Sequence, residues 1–485
     1  MRRLVRVAVV MGGFSVVNMT VGFLRSKYGA VVLGPAGIGV LAQATTFVLL
    51  TITVCTLSAG TGITKLVAEA LAGRDGEKLR AVLDTVFWFL LAAAAVTVGV
   101  LAPLTGPLSG WLLGEPALST WLLGVVVSIP LAVLAIFCEA VILGAARHDA
   151  YTRASIAATL LGVVAFVALT HVLGLRGALA SLAVAALLRL ACFAYVVREV
   201  VPWRPRLGGR LSRPILGVLL GYAAALLATG AFLELSNLGV RTMILGRLGA
   251  GANGIYQVPV ALSSYYSVFF TNGLWGHLYP RMSGSLTPAE QSSEVEAALR
   301  LTALGMAGAA AVLVAAREAL VVVLYSRQFA EAAALIPLYA VGDLLFLLSL
   351  VHVVAMLALG RLRACVALWG GFCLLRLALA ALFLSPLGLR GPVVAYVLSA
   401  GLFLVTLLVY HRRHMHLQLT APTRRLLLGA ALLSAIPSLL PVPAAASALL
   451  QVLVTALWLL RALSAEERGL VVHYLTRLAA RGLPS

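Results

Sequence analysis

The sequence predicts an all-α integral membrane protein: two six-helix lobes related by an internal parallel repeat, plus two additional C-terminal transmembrane helices. Three observations predict it. Of 485 residues, 62% are hydrophobic and 11% charged, with a mean hydropathy of +1.04, more apolar surface than a soluble core can bury. The apolar residues fall into runs of about 20, the length a helix needs to cross the hydrocarbon layer. Three short sequences also recur in order at nearly one spacing. Leu33-Gly34 opens LGPAGIG and Leu248-Gly249 opens LGAGANG; Leu143-Gly144 returns as Leu359-Gly360; Gly174-Leu175-Arg176-Gly177 returns unchanged as Gly388-Leu389-Arg390-Gly391. The offsets are 215, 216 and 214 residues. Parallel repeats in a membrane protein suggest two lobes that rock around a site between them.

The first apolar run begins close to Met1, after a short basic start and with no small-residue cleavage pattern before the next span, so it reads as a retained helix and not a signal peptide. Spans are expected near 5–24, 37–59, 82–104, 119–143, 154–173 and 177–197, forming an N-terminal lobe over 1–197. A polar, proline-containing cytoplasmic connector occupies 198–214. The second lobe, 215–411, holds spans near 215–239, 253–279, 298–325, 332–359, 364–385 and 391–410. A two-helix hairpin follows over 424–462, and 465–481 alternates Leu470, Val471, Tyr474, Leu475 and Leu478 with Arg468, Arg477 and Arg481, the pattern of an amphipathic helix lying on a membrane surface or of a frayed tail.

The formal charge is +19, but the basic residues sit in short clusters between apolar spans and form no soluble basic stripe, which excludes nucleic acid as the partner. They concentrate at the termini and in the connectors after even-numbered spans, for example Arg74, Lys78, Arg80, Arg204, Arg206, Arg210, Arg361, Arg363, Arg412 and Arg413. That face, with both termini, is therefore assigned to the cytoplasm. The longest opposite connector, from about Ala102 to Ser119, contains no Lys or Arg. Cys55, Cys138, Cys192, Cys365 and Cys373 lie in apolar stretches without metal-ligand spacing and read as small core residues.

Several cations lie where a membrane makes them costly. Arg25 and Lys27 end the first span, and Arg241 and Arg247 end the seventh, at corresponding places in the repeat. A charge near hydrocarbon needs water or a counter-charge, and guanidinium groups facing a central cleft would grip a phosphate bidentately; snorkelling to the interface is the structural alternative. Lys65 and Glu69, spaced i, i+4, are able to pair on one helix face. Further ionisable groups within or beside spans are Glu139, Arg189, Glu234, His277, Arg281, Arg317, Glu318, Asp343, His352 and Arg376. Glu69, Glu234 and Asp343 are coupling or counter-ion candidates, with a structural hydrogen bond as the alternative for the last two. The eighth span carries a polar-aromatic face that includes Tyr265, Asn272, Trp275 and His277, suited to sugar hydroxyls and pyranose faces or equally to helix–helix hydrogen bonds and an interfacial belt.

Residues 24–43 (LRSKYGAVVLGPAGIGVLAQ), 62–73 (GITKLVAEALAG) and 239–283 (GVRTMILGRLGAGANGIYQVPVALSSYYSVFFTNGLWGHLYPRMS) resemble the corresponding parts of Wzx-type polysaccharide and O-antigen flippases. These belong to the superfamily of multidrug, oligosaccharidyl-lipid and polysaccharide exporters. The resemblance implies an inner-membrane protein that moves an undecaprenyl-diphosphate-linked oligosaccharide between leaflets, with Arg25, Lys65, Arg241 and, less securely placed, Arg281 holding the diphosphate and acidic glycan. The chain departs from the pattern after Arg413, where two more helices resemble those that help form a lipid groove in lipid II flippases.

The expected mechanism is alternating access through a cationic cavity formed by Arg25, Lys27, Lys65, Arg241, Arg247 and Arg281. Direction requires an energy source, an H+ or Na+ gradient or the membrane potential, because a symmetric carrier only equilibrates. No cofactor or metal motif is present. A polysaccharide polymerase and a chain-length regulator are the protein partners considered. The rivals are a lipid II-type flippase, a drug/cation antiporter, which would need a membrane-buried acid where this core has excess cations, and a membrane-embedded polymerase or ligase, for which no external connector is long enough.

Overall fold

The computed structural model describes residues 2–57, 60–205, 212–415, 419–439 and 444–462; the amphipathic segment expected over 465–481 lies outside the described residues. In chain order the helices are α1 (Arg2–Thr56), α2 (Gly60–Ala72), α3 (Gly76–Leu101), α4 (Thr105–Leu108), α5 (Ser119–Val127), α6 (Ile129–Gly144), α7 (His148–Val200), α8 (Arg213–Gly273), α9 (Tyr279–Met282), α10 (Pro288–Ala315), α11 (Arg317–Leu324), α12 (Ala332–Ala358), α13 (Leu362–Leu387), α14 (Arg390–His414), α15 (Ala421–Leu439) and α16 (Ala444–Ala462). Among the described residues there is no strand, and eight helices are long and apolar enough to cross a membrane. The protein is a multi-pass membrane protein.

α1, α7 and α8 contain 55, 53 and 61 residues. As straight rods at about 1.5 Å per residue they would be roughly 80–90 Å long, against a hydrocarbon layer of about 30 Å. Each instead doubles back at a glycine with positive φ: Gly34 (φ 64°, ψ −174°), Gly174 (φ 57°, ψ −132°) and Gly249 (φ 87°, ψ 173°). Positive φ with ψ near 180° is open essentially only to glycine. Contacts across the turns establish the reversal. A Cβ on Gly29 would meet Ile38 Cδ1 at 3.1 Å, and one on Gly177 would overlap the Leu169 carbonyl; residues eight or nine apart on a continuous helix are about 12 Å apart or more. Each of these helices thus supplies two of the spans expected from the sequence.

The same turns display the repeat. Gly34 and Gly249 share one offset, and Gly174 pairs with Gly388 (φ 53°) between α13 and α14. Gly391 meets the backbone of Phe383 just as Gly177 meets that of Leu169. The match of Leu143-Gly144 with Leu359-Gly360 shifts register. The left-handed residue that ends α6 is Ala146 (φ 54°) and the one that ends α12 is Gly360 (φ 71°). Both close the same helix-end motif, Arg147 N–H donating to Ile142 O (3.2 Å) and Arg361 N–H to Met356 O (2.9 Å). The structural offset here is therefore 214 and not the 216 of the Leu-Gly dipeptides, because the motif needs a positive φ, and the first copy supplies it with alanine.

Two other expectations change. The span near 298–325 begins earlier, as α10, because Thr287 and Glu290 form a reciprocal cap, Thr287 N–H donating to Glu290 Oε2 at 2.8 Å and Glu290 N–H to Thr287 Oγ1 at 3.4 Å. It also ends earlier, at Ala315, with α11 as a separate short helix. The span near 119–143 is divided into α5 and α6 at Ser128, just before Pro130, whose ring nitrogen has no hydrogen to donate.

The chain forms two compact units: residues 1–260, 321–332 and 362–395 in one, and 261–320, 333–361 and 396–485 in the other. In the first, α2, α3, α6 and α7 enclose a core of Ile63, Val67, Leu83, Leu90, Phe137 and Phe166. The connector after α7 is tied to it: Trp203 Nε1 donates to Asp84 Oδ1 at 2.8 Å and its ring packs on Phe87 and Phe137. In the second, α10 packs on α15 and α16. Val96, Val164, Val172, Leu301 and Leu374 lie exposed on helix faces, as lipid-facing residues do.

Candidate functional site

Two glycine turns of the first unit, at Gly34 and Gly249, carry Arg25, Lys27, Arg241 and Arg247 among the cationic residues singled out from the sequence. The arms that leave these turns cross at Gly39 on α1 and Gly254 on α8, residues again 215 apart. A Cβ on Gly39 would overlap the Ala250 carbonyl and lie 2.8 Å from Gly254 N; one on Gly254 would overlap the Pro35 carbonyl and lie 3.1 Å from Gly39 N. Backbone therefore touches backbone at the crossing. Asn253, fully buried, donates from Nδ2 to the Gly39 carbonyl at 2.8 Å, and Gln43 Nε2 donates to Thr242 Oγ1 at 2.7 Å.

Arg241 stands beside this crossing, 4% exposed. Its guanidinium spans the two arms of the α8 hairpin, donating to Asn253 Oδ1 at 3.3 Å and to Gln257 Oε1, with its carbon 5.7 Å from the centre of the Tyr256 ring. Arg25 is half-buried and lies 4.7 Å from the centre of the Phe166 ring. The register of Gly34 and Gly249 places Ser26, not Arg25, at the position equivalent to Arg241. A one-residue slip on a helix rotates a side chain by about 100°, so the two arginines are near-equivalents that point differently.

The other cations of this unit make polar contacts from partly open positions. Lys27 Nζ donates to Val322 O at 2.9 Å, and exposed Arg247 donates to Ala381 O and Ser385 Oγ, both at 3.1 Å. Lys65 and Glu69 pair at 3.7 Å, each about half exposed. Arg189 binds Glu139 through both carboxylate oxygens, with Nη2 to Oε2 at 2.9 Å. Glu234 is half-buried one turn from Asn237, which accepts from Arg376 Nη1 at 2.9 Å.

The remaining candidates belong to the second unit. Arg281 makes an ion pair with Glu294, which holds the guanidinium above its ordinary pKa through the hydrogen bond and the carboxylate charge. α8 ends in a wide π-helical turn, Leu274–Leu278, that exposes Trp275 and His277; Trp275 packs on Tyr279 with ring centres 5.3 Å apart. Asn272 is exposed and Tyr265 half-buried. Asp343 is buried, accepting from Tyr396 Oη at 2.9 Å and from Tyr266 Oη. Sequence reasoning missed Gly39, Gly254, Asn253 and Gln43; the shared 215-residue offset of the two glycines was the available signal.

A family model described as polysaccharide biosynthesis protein matches residues 30–334. The chain belongs to this family. The match upholds the resemblance to Wzx-type members of the multidrug, oligosaccharidyl-lipid and polysaccharide exporter superfamily. The Lipid III flippase of Escherichia coli (strain K12) is 26% identical over 346 residues, 68% of this chain and 79% of the relative, and that of Shigella flexneri matches equally. Among solved structures, an inward-facing multidrug resistance MATE family transporter of the MOP superfamily gives a TM-score of 0.70 at 12% identity, covering 83% of this chain and 98% of that one. The lipid II flippase MurJ in an inward closed conformation gives 0.66 at 12% identity, covering 96% and 100%. These likenesses establish the transporter fold of this polysaccharide biosynthesis family member.

Proposed function

We propose that this protein flips undecaprenyl-diphosphate-linked oligosaccharide repeat units, of the O-antigen kind, across the bacterial inner membrane by alternating access. The observation that carries the reading is the pair of glycine-turned hairpins, one per repeat, crossing at Gly39 and Gly254. Two backbones in direct contact, with no side chain between them, form a narrow pivot. Arg25 and Lys27 beside one turn and Arg247 beside the other keep cationic groups partly open. A diphosphate presents two anionic centres, and guanidinium groups bind such oxygens bidentately. Arg241 contributes through the shape of its hairpin, while Lys65 and Arg281 extend the cationic set. Tyr265, Asn272, Trp275 and His277 are assigned to the glycan, and Glu69, Glu234 and Asp343 to coupling or counter-ion duty. Both termini are assigned to the cytoplasmic side, a reading supported by the distribution of Lys and Arg.

A second reading, a lipid II-type flippase, is favoured by the 96% coverage against MurJ, which exceeds the 83% against the MATE transporter. Complementation distinguishes them: expression should restore surface polysaccharide to a strain lacking its lipid-linked oligosaccharide flippase, and should not rescue a strain depleted of its lipid II flippase. In the first strain, Arg25→Ala should abolish export with membrane abundance unchanged, since a charged hydrogen bond is worth about 1.5–3 kcal/mol, roughly 10- to 150-fold. Arg25→Lys should retain part of the activity. Normal export by Arg25→Ala would remove the diphosphate assignment.

A further inference from the structure

α12 and α14 run in the same direction through the second unit, their contacts stepping from Asp343–Tyr396 through Leu345–Gly401 to His352–His411. At the last step two imidazoles face each other with ring centres 4.5 Å apart and planes inclined at 49°. Both residues are only 1% exposed. Buried polar atoms are ordinarily hydrogen-bonded, yet three of these four ring nitrogens have no partner: Nδ1 and Nε2 of His352, and Nε2 of His411. The fourth, His411 Nδ1, lies 2.9 Å from the Leu407 carbonyl oxygen. A carbonyl only accepts, so Nδ1 carries the hydrogen and Nε2 is left as a bare lone pair.

We propose that His352 and His411 form a two-imidazole site that binds one proton, the coupling ion of the transport cycle. The proton adds to the lone pair of His411 Nε2, and the N–H so formed donates to a ring nitrogen of His352. No other bond forms or breaks, and release is the reverse step. One proton thereby gives partners to two of the three unsatisfied nitrogens, and the positive charge is shared between rings already in contact. The Asp343 carboxylate, nine residues earlier on α12, already accepts from Tyr266 and Tyr396.

The ionisable groups beside the pair along the chain are Tyr410, whose ring meets both His411 and His414, together with His414, Arg412 and Arg413 on α14, and Arg361 beyond the end of α12.

The existence of the site is independent of the flippase reading; only its use rests on it. The full-length protein, labelled with 15N-histidine and purified in detergent, should be titrated by NMR from pH 8 to pH 5, with His352→Gln and His411→Gln assigning the two rings. Expected is one joint protonation step that moves both rings together and that either variant removes. Independent titration, or two rings that stay neutral throughout, would overturn the proposal. In cells, export by the parent should change about tenfold per unit of imposed pH gradient, as one proton per cycle requires, and the variants should lose that dependence. A joint step with unchanged gradient dependence in the variants would overturn the coupling role alone. A parent that exports nothing while the joint step is present would remove the flippase reading and leave the site.

Discussion

Adding one methyl group at Gly254 should separate the two repeats at their crossing. A Cβ there would overlap the Pro35 carbonyl, and the reciprocal Cβ on Gly39 would overlap that of Ala250. Overpacking of this kind typically costs about 1–3 kcal/mol, and a backbone carbonyl has no rotamer with which to yield. Alanine gains up to about 1 kcal/mol over glycine in a helix, so with the full gain the net loss should be up to about 2 kcal/mol. Gly251 and Gly246 supply the controls, since a Cβ at either meets nothing within 4 Å. Thermal denaturation of the detergent-purified full-length protein should show Gly254→Ala and Gly39→Ala melting below the parent, and Gly251→Ala and Gly246→Ala at or above it. The double variant Gly39→Ala/Gly254→Ala should cost less than the sum of the singles, because helices parted by one methyl already have room for the other. Export in the complemented strain should fall with the crossing variants alone. If Gly254→Ala melts no lower than Gly251→Ala, the close crossing, and the pivot built on it, are refuted.

Two further outcomes follow from the hairpins. Arg241→Ala should reduce membrane abundance as well as export, in contrast to Arg25→Ala, because it strips donors from buried Asn253 and from Gln257, and an unsatisfied buried acceptor costs about 1–3 kcal/mol; quantitative immunoblotting and melting curves would measure both effects. Gly249→Ala should cost about 1–3 kcal/mol by backbone strain alone, since its φ of 87° and ψ of 173° exclude a side chain while nothing lies near its Cβ. Gly360→Ala should be the milder change on the same melting assay, because the equivalent turn already tolerates Ala146 at φ 54°.

Most of the fold was legible because the lipid environment leaves a chain little choice. Runs of apolar residues near 20 long must be helices if every backbone group is to be satisfied internally, and Gly34, Gly174, Gly249 and Gly388 marked reversals that only glycine makes easily. Helix ends were less legible: the Thr287–Glu290 cap moved one start by ten residues from that expected near 298, since a cap is decided by local geometry and not by hydropathy. Of the cations read as the candidate site, Arg25, Lys27, Arg241 and Arg247 lie on the arms of two glycine turns, whereas Lys65 sits on α2 and Arg281 in the second unit. What each cation does there was not readable. Arg25 and Arg241 looked alike in the sequence, yet one stacks on Phe166 and the other is enclosed by Asn253, Gln257 and Tyr256.

The sequence by itself determined the helical class, the duplication, the turn positions and the family, because all of these follow from hydropathy, from glycine's unique access to positive φ, and from local patterns that survive copying. Only the tertiary structure decided that Gly39 and Gly254 meet, that Arg241 is enclosed, and that His352 and His411 face each other with three of their four ring nitrogens unsatisfied. Those facts depend on residues separated by 12 to 215 positions, and no local preference of the chain specifies which distant backbone or ring a side chain will find.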